Sequence, residues 1–518
     1  MTTVGGTRGR RFAIAVVAGL GLVAIILAGS ALRRHWVMPF AKQRVVAMVQ
    51  ERFEGEVEIR QLEISGLLFL RIAGQELTLR SPERRDVPPL FHVRAFTVET
   101  SLWGLLRKPP HVNRVQVEGL KITVPPPVPS TRSSLGRKLA AYRIVVGEIV
   151  SDDAQLIILP KREGRLPVVF DIHHLVLRSS GSDRAMSFRA SLTNPKPLGE
   201  IDATGHFGPW VAEEPSLTPV SGDYSFRDAD LNTIRGIGGI LSSRGTFEGI
   251  LGRLAVEGET DTPDFSVDIA GNPIPLHTRF SAVVDGTSGD TFLDPVEARL
   301  GNSTIIARGG VARTVDPKGR VVALDVNVPE GRIEDLLRLA VKDTAPPMTG
   351  PVRLQTTFLL PPGNERIAQR LDLRGDFHLA SARFTKLSVR KKLGTLSARG
   401  RGKTETEGSE VASDLAGRFQ LRNGRLSLSR LTFKVPGATV RLQGHYDLLP
   451  GTLDLRGTLA LEAKLSETTT GVKSFMLKAI DPWFARKGAG TLLPIQVSGT
   501  AKEPQFGVDV GKALRRAD

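Results

Sequence analysis

The chain has no cysteine among its 518 residues. Disulfides, thiolate metal ligands and thiol nucleophiles are therefore outside its chemistry, although either an oxidising or a reducing compartment would tolerate the absence. Aromatic residues are scarce at 6%, with 3 Tyr and 4 Trp, too few for a stacking platform under single-stranded nucleic acid. Acid is in deficit: 54 Asp and Glu stand against 70 Lys and Arg, for a formal charge of +16. Such a balance favours acidic partners through long-range attraction. The cations are spread along many segments and form no basic recognition helix, which speaks against nucleic acid and leaves anionic lipid as the nearer partner.

Catalytic patterns are missing too. The nine histidines are scattered and no His-Glu-x-x-His is present. His173 and His174 are adjacent, so a strand would point them to opposite faces. Asp228 and Asp230 can share a strand face but lack a calcium-loop pattern. Gly402-Lys403-Thr404 ends like a phosphate-binding loop, yet Ser397 stands where the loop needs its first glycine, and the surroundings read as strands in polar hairpins. Serine nucleophile elbows are absent. The expectation is a protein that is not an enzyme, with no cofactor, no metal site and no catalytic residue.

One long apolar run is present, Phe12–Leu32, bracketed by Arg10-Arg11 and Arg33-Arg34, and no comparable run recurs. At about 1.5 Å per residue it would cross a hydrocarbon layer of roughly 30 Å as a helix, which closes its hydrogen bonds internally. A cleavable signal peptide is the alternative, with small residues at Ala28-Gly29-Ser30-Ala31. Its usual apolar core is shorter, and here the run ends directly in arginines. Residues 12–32 are thus expected to form a transmembrane helix. Positive charge lies on both sides of it, so the positive-inside rule gives only a weak vote on orientation.

Beyond residue 50 apolar residues recur with a period of two, as in Val57 and Ile59, Leu77 and Leu79, Phe96 and Val98, and Leu120, Ile122 and Val124. That alternation puts one face of each strand against an apolar interior. Glycine and proline punctuate the runs. The cleanest stretch is Phe419 and Leu421, then Asn423-Gly424, then Leu426 and Leu428. Asn-Gly is a strong hairpin signal because both residues tolerate positive φ. Short sequence-adjacent strands predict an antiparallel meander. Arg332–Val341 and Val472–Trp483 carry helical stripes, and Leu231–Leu241 is a shorter Gly- and Ile-rich piece. Breaks fall at Pro125–Ser134, Pro346–Gly350 and Pro361–Asn364.

Several strings then resemble a known family. They are Phe53-Glu54-Gly55-Glu56-Val57, Leu102-Trp103-Gly104-Leu105-Leu106 and Val115-Gln116-Val117-Glu118-Gly119-Leu120 near the start, and Pro436-Gly437-Ala438, Gly444-His445-Tyr446 and Val497-Ser498-Gly499-Thr500 near the end. Their order behind an apolar N-terminal run resembles the bacterial AsmA-like envelope family, related to bridge-like lipid-transfer proteins. The resemblance implies a mainly β fold: an elongated, curled antiparallel sheet forming an apolar groove, with the N-terminal transmembrane helix and a few short covering helices. It implies a cytoplasmic 1–11, the helix 12–32, an N-terminal β region 33–129, a central groove 130–350 and a C-terminal β region 351–518. The implied location is the bacterial inner membrane, single-pass, with the large C-terminal body in the periplasm.

The implied role is phospholipid transfer or outer-membrane homeostasis. Inward apolar side chains would cover acyl chains, since each methylene removed from water gains about 0.8 kcal/mol. Val440 and Leu442 are candidate groove-facing residues, and Arg33, Arg34, Lys42 and Arg44 form a candidate membrane-proximal basic group for anionic phospholipid. The alternative is a structural or interaction protein that regulates assembly of envelope proteins. A noncontiguous hydrolase site is the third reading. No nucleic-acid partner is expected.

Overall fold

A computed structural model describes residues 56–508 except 67, 81–86, 108–109, 125–144, 160–166, 179–184, 210, 212–214, 315–318, 403–410, 464–490 and 501–502. The chain divides into two compact units: residues up to Pro195 with Ile201–Gly222, and Lys196–Glu200 with Asp223 onward.

The first unit contains β1 (Glu56–Ser65), β2 (Phe69–Arg80), β3 (Phe91–Ser101), helix α1 (Leu102–Leu106), β4 (His111–Val124), β5 (Val145–Ile158), β6 (Val168–Arg178) and β7 (Met186–Pro195). Each strand pairs with the next. All these pairs are antiparallel except β4–β5, which runs parallel from His111↔Val145 to Val124↔Ile158. A parallel neighbour cannot be reached through a tight turn and needs a connection of a dozen or more residues; Val124 and Val145 are far enough apart in sequence to allow one. Its core runs through Val93, Phe96 and Val117 to Ala154, Ile172, Leu175 and Ala190.

β8 (Leu198–Phe207) and β9 (Pro219–Asp230) each have residues in both units. The second unit continues with β10 (Ile237–Gly238), β11 (Ile240–Ile250), β12 (Arg253–Val267), β13 (Ile274–Val284), β14 (Thr291–Leu300), β15 (Ser303–Thr314) and β16 (Gly319–Arg332). Helix α2 (Ile333–Ala340) leads to β17 (Met348–Thr349), β18 (Pro351–Leu360), α3 (Ile367–Arg370), β19 (Asp372–Phe384) and α4 (Leu387–Gly400). The last strands are β20 (Ser413–Arg422), β21 (Arg425–Val435), β22 (Ala438–Asp447), β23 (Thr452–Leu461), β24 (Thr491–Thr500) and β25 (Pro504–Val508). From β11 to β25 the ladder is antiparallel throughout, strand beside strand in chain order, with β17 set aside so that β16 meets β18. The short β10 and β17 pair with β12 and β19.

The local rules are visible in β18, where Val352, Leu354, Phe358 and Leu360 alternate with exposed Arg353, Gln355, Thr357 and Leu359. Asn423 and Gly424 take φ of 52° and 73°, so the β20–β21 turn is the expected two-residue hairpin.

Helices α2 and α4 sit where β16, β19 and β21 end and β18 and β22 begin. Ile333 and Leu336 of α2 pack on Val352, Leu379 and Ala382, and Leu396 of α4 packs on Val435, Ala438 and Leu461. The buried Asp335 accepts hydrogen bonds from the Asn302 N–H (2.9 Å) and Ser303 Oγ (2.8 Å), which pins α2 to the β14–β15 turn.

Three expectations are corrected. The sheet expected to be curled is mainly antiparallel with open margins: among the described residues no ladder joins the first strand of a unit to its last. No described helix is long and apolar enough to cross a membrane. The longest, α4, has 14 residues and carries Arg390, Lys391, Lys392 and Arg399, against the roughly 20 apolar residues a span requires. The expected transmembrane helix and the single-pass inner-membrane placement lose their support with it, and Phe12–Leu32 itself lies outside the described residues, as does Val472–Trp483.

Candidate functional site

Directly paired residues of neighbouring strands share a sheet face, so the register of the second unit shows what each face carries. One row of partners crosses Leu324, Phe358, Leu373, Leu421, Leu426, Tyr446 and Leu453 on seven successive strands. A parallel row crosses Leu354, Phe377, Gly417, Leu431, Leu442, Gly457 and Ile495. Neither row contains a charge. The opposite face carries rows such as Arg244, Glu259, Arg279 and Glu297.

Glycines in these strands have a packing reason. Gly258 pairs with Phe280 and Gly417 with Phe377, and a Cβ on either glycine would stand 3.0–3.1 Å from the partner's ring. The rings lie over the bare backbone and fill the gap, so the apolar face continues across the glycine positions. Phe377 and Phe419 pack with ring centroids 6.2 Å apart, within the range for aromatic pairs.

A sheet that is apolar on one face ordinarily buries it under a second layer. Among the described residues most of the cover lies at the helix-bearing end, where Val328, Val352, Leu379, Val435, Ala438 and Leu461 are buried; Leu421 is buried at the other end. Farther along the strands, Leu324, Phe358, Leu373, Leu426, Tyr446 and Leu453 are only half-buried. What remains is a strip of apolar side chains running perpendicular to the strands, half-buried except at Leu421, which is buried near the β20–β21 turn that α3 approaches. Val440 and Leu442 both lie on this face, Val440 buried and Leu442 half-buried, between Phe433 and Leu459 and between Leu431 and Gly457 respectively. Arg33, Arg34, Lys42 and Arg44 lie outside the described residues.

Near the start of the unit a cavity of about 750 Å³ opens where Gly245 pairs with Gly258. Tyr224 and Phe280 line it beside Arg244 and Glu259. Burial raises the Tyr224 pKa, opposed by its hydrogen bond with Ser243 (3.0 Å). The Arg244 guanidinium, bonded to Glu259, holds that carboxyl below its usual range. At the other end of the polar face, Arg425 donates to Asp447 through Nε (2.6 Å) and Nη2 (3.2 Å), lowering the Asp447 pKa and raising its own. These are paired surface charges, each already engaged with a neighbour.

The residues weighed for chemistry come apart. His173 meets Thr193 (2.6 Å) and His174 meets Asp152 (2.6 Å), so each takes a separate partner. Asp230 caps the turn Leu231–Thr233 by accepting from the Asn232 N–H. The segment before Gly402 is helix α4 rather than a hairpin strand, so a helix precedes the glycine, the reverse of the order in a phosphate-binding loop. Among the described residues no group of three or more His, Asp or Glu is placed to hold a metal ion.

Sequence reasoning missed α4. Its N-cap position is Lys386, which makes no side-chain capping bond, and Gly394 and Thr395 interrupt its apolar stripe. It also missed the exposure of Leu68, Phe69, Trp103 and Leu106 in the first unit, because an apolar string carries no mark of which way it faces.

No family model matches the sequence, and neither a curated protein nor a solved structure is similar to it.

Proposed function

We propose that the chain is a non-catalytic scaffold that holds other molecules on one apolar sheet face. The single observation that carries this reading is the uncharged row from Leu324 to Leu453, half-buried on six of its seven strands. The mainly β architecture by itself goes furthest toward a structural or interaction role, of the kind that assists assembly of other proteins, because such a role needs only a stable surface.

The finer reading names the occupant as phospholipid acyl chains, which is also what the resemblance to AsmA-like proteins would imply. Three features support it. The strip has no charge or buried polar group to select one ligand, so contacts along it are similar and weak, as sliding requires. Each methylene it removes from water gains about 0.8 kcal/mol, so even half-coverage of a long chain outweighs the cost of ordering it. The opposite face carries charged residues such as Arg244, Glu259, Arg425 and Asp447 and offers lipid tails nothing.

Native mass spectrometry of the full chain released from detergent tests the finer reading. Bound phospholipid, reduced by Leu428→Glu on the strip and retained in Ser427→Glu on the other face, is the expected result. An empty chain that copurifies with protein partners would leave the interaction role and remove the acyl-chain reading.

A further inference from the structure

Four large apolar side chains stand in solvent together at one end of the first unit: Leu68 is 64% exposed, Phe69 79%, Trp103 73% and Leu106 52%. They come from two segments distant in sequence, the β1–β2 turn and helix α1, which the fold ties side by side. The Leu102 N–H donates to the Leu68 carbonyl (3.0 Å), Phe69 pairs with Ser101, and Leu102 packs with Leu70 and Ile64 beneath.

The display is built rather than frayed. Gly66 has φ of +94°, and a Cβ there would collide with the Phe69 carbonyl. Ser101 caps α1 by accepting from the Gly104 N–H (2.9 Å). The Thr100 hydroxyl donates to the His111 carbonyl (2.7 Å), and a Cβ on Gly104 would stand 2.6 Å from that same oxygen, so α1 is seated against the start of β4. Backbone groups are thus satisfied locally while Trp103 and Leu106, three apart on one helix side, point away from the core. Single exposed apolar residues are ordinary; four on two segments joined through the backbone, two of them aromatic, mark an interaction surface.

Charge selects the partner. Segments 66–75 and 101–115 contain no Asp or Glu, and Arg71 and Arg107 are exposed beside the patch. The nearest carboxylate in register, Glu99, pairs with Arg71 and with Arg114, which also meets Glu148 (3.5 Å), so with Arg107 the cations here outnumber the carboxylates. Trp and Phe with leucines above a basic rim suit the boundary between acyl chains and anionic headgroups, where amphipathic rings settle and cations meet phosphate.

We propose that Leu68, Phe69, Trp103 and Leu106 form a shallow insertion tip that docks the first unit on the surface of an anionic phospholipid bilayer. The proposal is independent of what occupies the strip of the second unit.

The cysteine-free chain allows a direct test. Full-length protein with Leu106→Cys carries a polarity-sensitive fluorophore there, and Leu449→Cys, also an exposed leucine at 53% but in the second unit, serves as reference. With vesicles of phosphatidylglycerol and phosphatidylcholine, the label at position 106 should shift to the blue and be quenched by nitroxides placed shallowly on the acyl chains; the label at 449 should do neither. Pure phosphatidylcholine should give a smaller shift. Adding Phe69→Ser and Trp103→Ser should abolish quenching at 106 while the β circular dichroism is kept, since both side chains are exposed. Equal signals at 106 and 449, no shift at saturating lipid, or a shift that needs no lipid and grows with protein concentration would each overturn the proposal, the last by making the patch an interface between protein chains.

Discussion

Phe377 lies over Gly417: the two are direct cross-strand partners, and a Cβ at position 417 would sit 3.0 Å from the ring's Cε1 and Cζ. The glycine weakens its strand by omitting a side chain, and the ring restores the lost contacts from the facing strand. Gly417→Val should therefore force the ring aside and cost about 1–3 kcal/mol in a urea titration, as over-packing does. Combining it with Phe377→Leu should recover part of that loss. Additive losses would show that the ring does not fill the glycine's space.

Asp335 is the tie between α2 and the sheet. Its carboxylate accepts from Asn302 and Ser303, and Ser303 Oγ in turn accepts from the Arg332 N–H (2.8 Å). Asp335→Leu leaves those donors buried without acceptors, so we expect a loss of about 3 kcal/mol, with faster hydrogen exchange in 333–340. Asp335→Asn, which keeps one acceptor oxygen, should lose less. Equal effects of the two substitutions would contradict this role.

The Asp285 turn predicts a pH dependence. Burial raises the pKa of this carboxyl, but hydrogen bonds from the hydroxyls and N–H groups of Thr287 and Ser288 outweigh it and hold the net value below the ordinary 3.8. A folded-state pKa below the unfolded one adds stability that is complete above the unfolded value and disappears as pH falls through the folded value. The stability difference between the parent chain and Asp285→Asn should thus be constant from neutral pH down to about 5 and shrink steadily below about 4. A difference that stays unchanged down to pH 2 would assign the effect to geometry alone.

Much of the second unit can be read from its residues. The alternation of Phe419 and Leu421 across Asn423-Gly424 to Leu426 and Leu428 anticipates the hairpin, because side-chain period and turn chemistry are local properties. The stripe in Arg332–Val341 likewise anticipates α2. The parallel pairing of His111–Val124 with Val145–Ile158 is not legible, since it depends on a crossover rather than on either strand. Asp228, Glu76 and Asp153 adopt positive φ within or beside strands, at irregularities fixed by neighbouring strands. The site is half legible: alternation says that each strand has an apolar face, and only the register shows that these faces join into one strip and that helices cover one end of it.

The proposed occupancy of the strip by acyl chains is read most directly by photo-crosslinking. Full-length chain is loaded with phospholipid bearing a diazirine deep in one acyl chain, irradiated and mapped by peptide mass spectrometry. The account predicts adducts on the apolar face, at Leu324, Phe358, Leu428 and Leu442, and none on paired residues of the opposite face such as Asp325, Thr357 and Arg441. Adducts spread equally over both faces, or absent from residues 320–460, would contradict it.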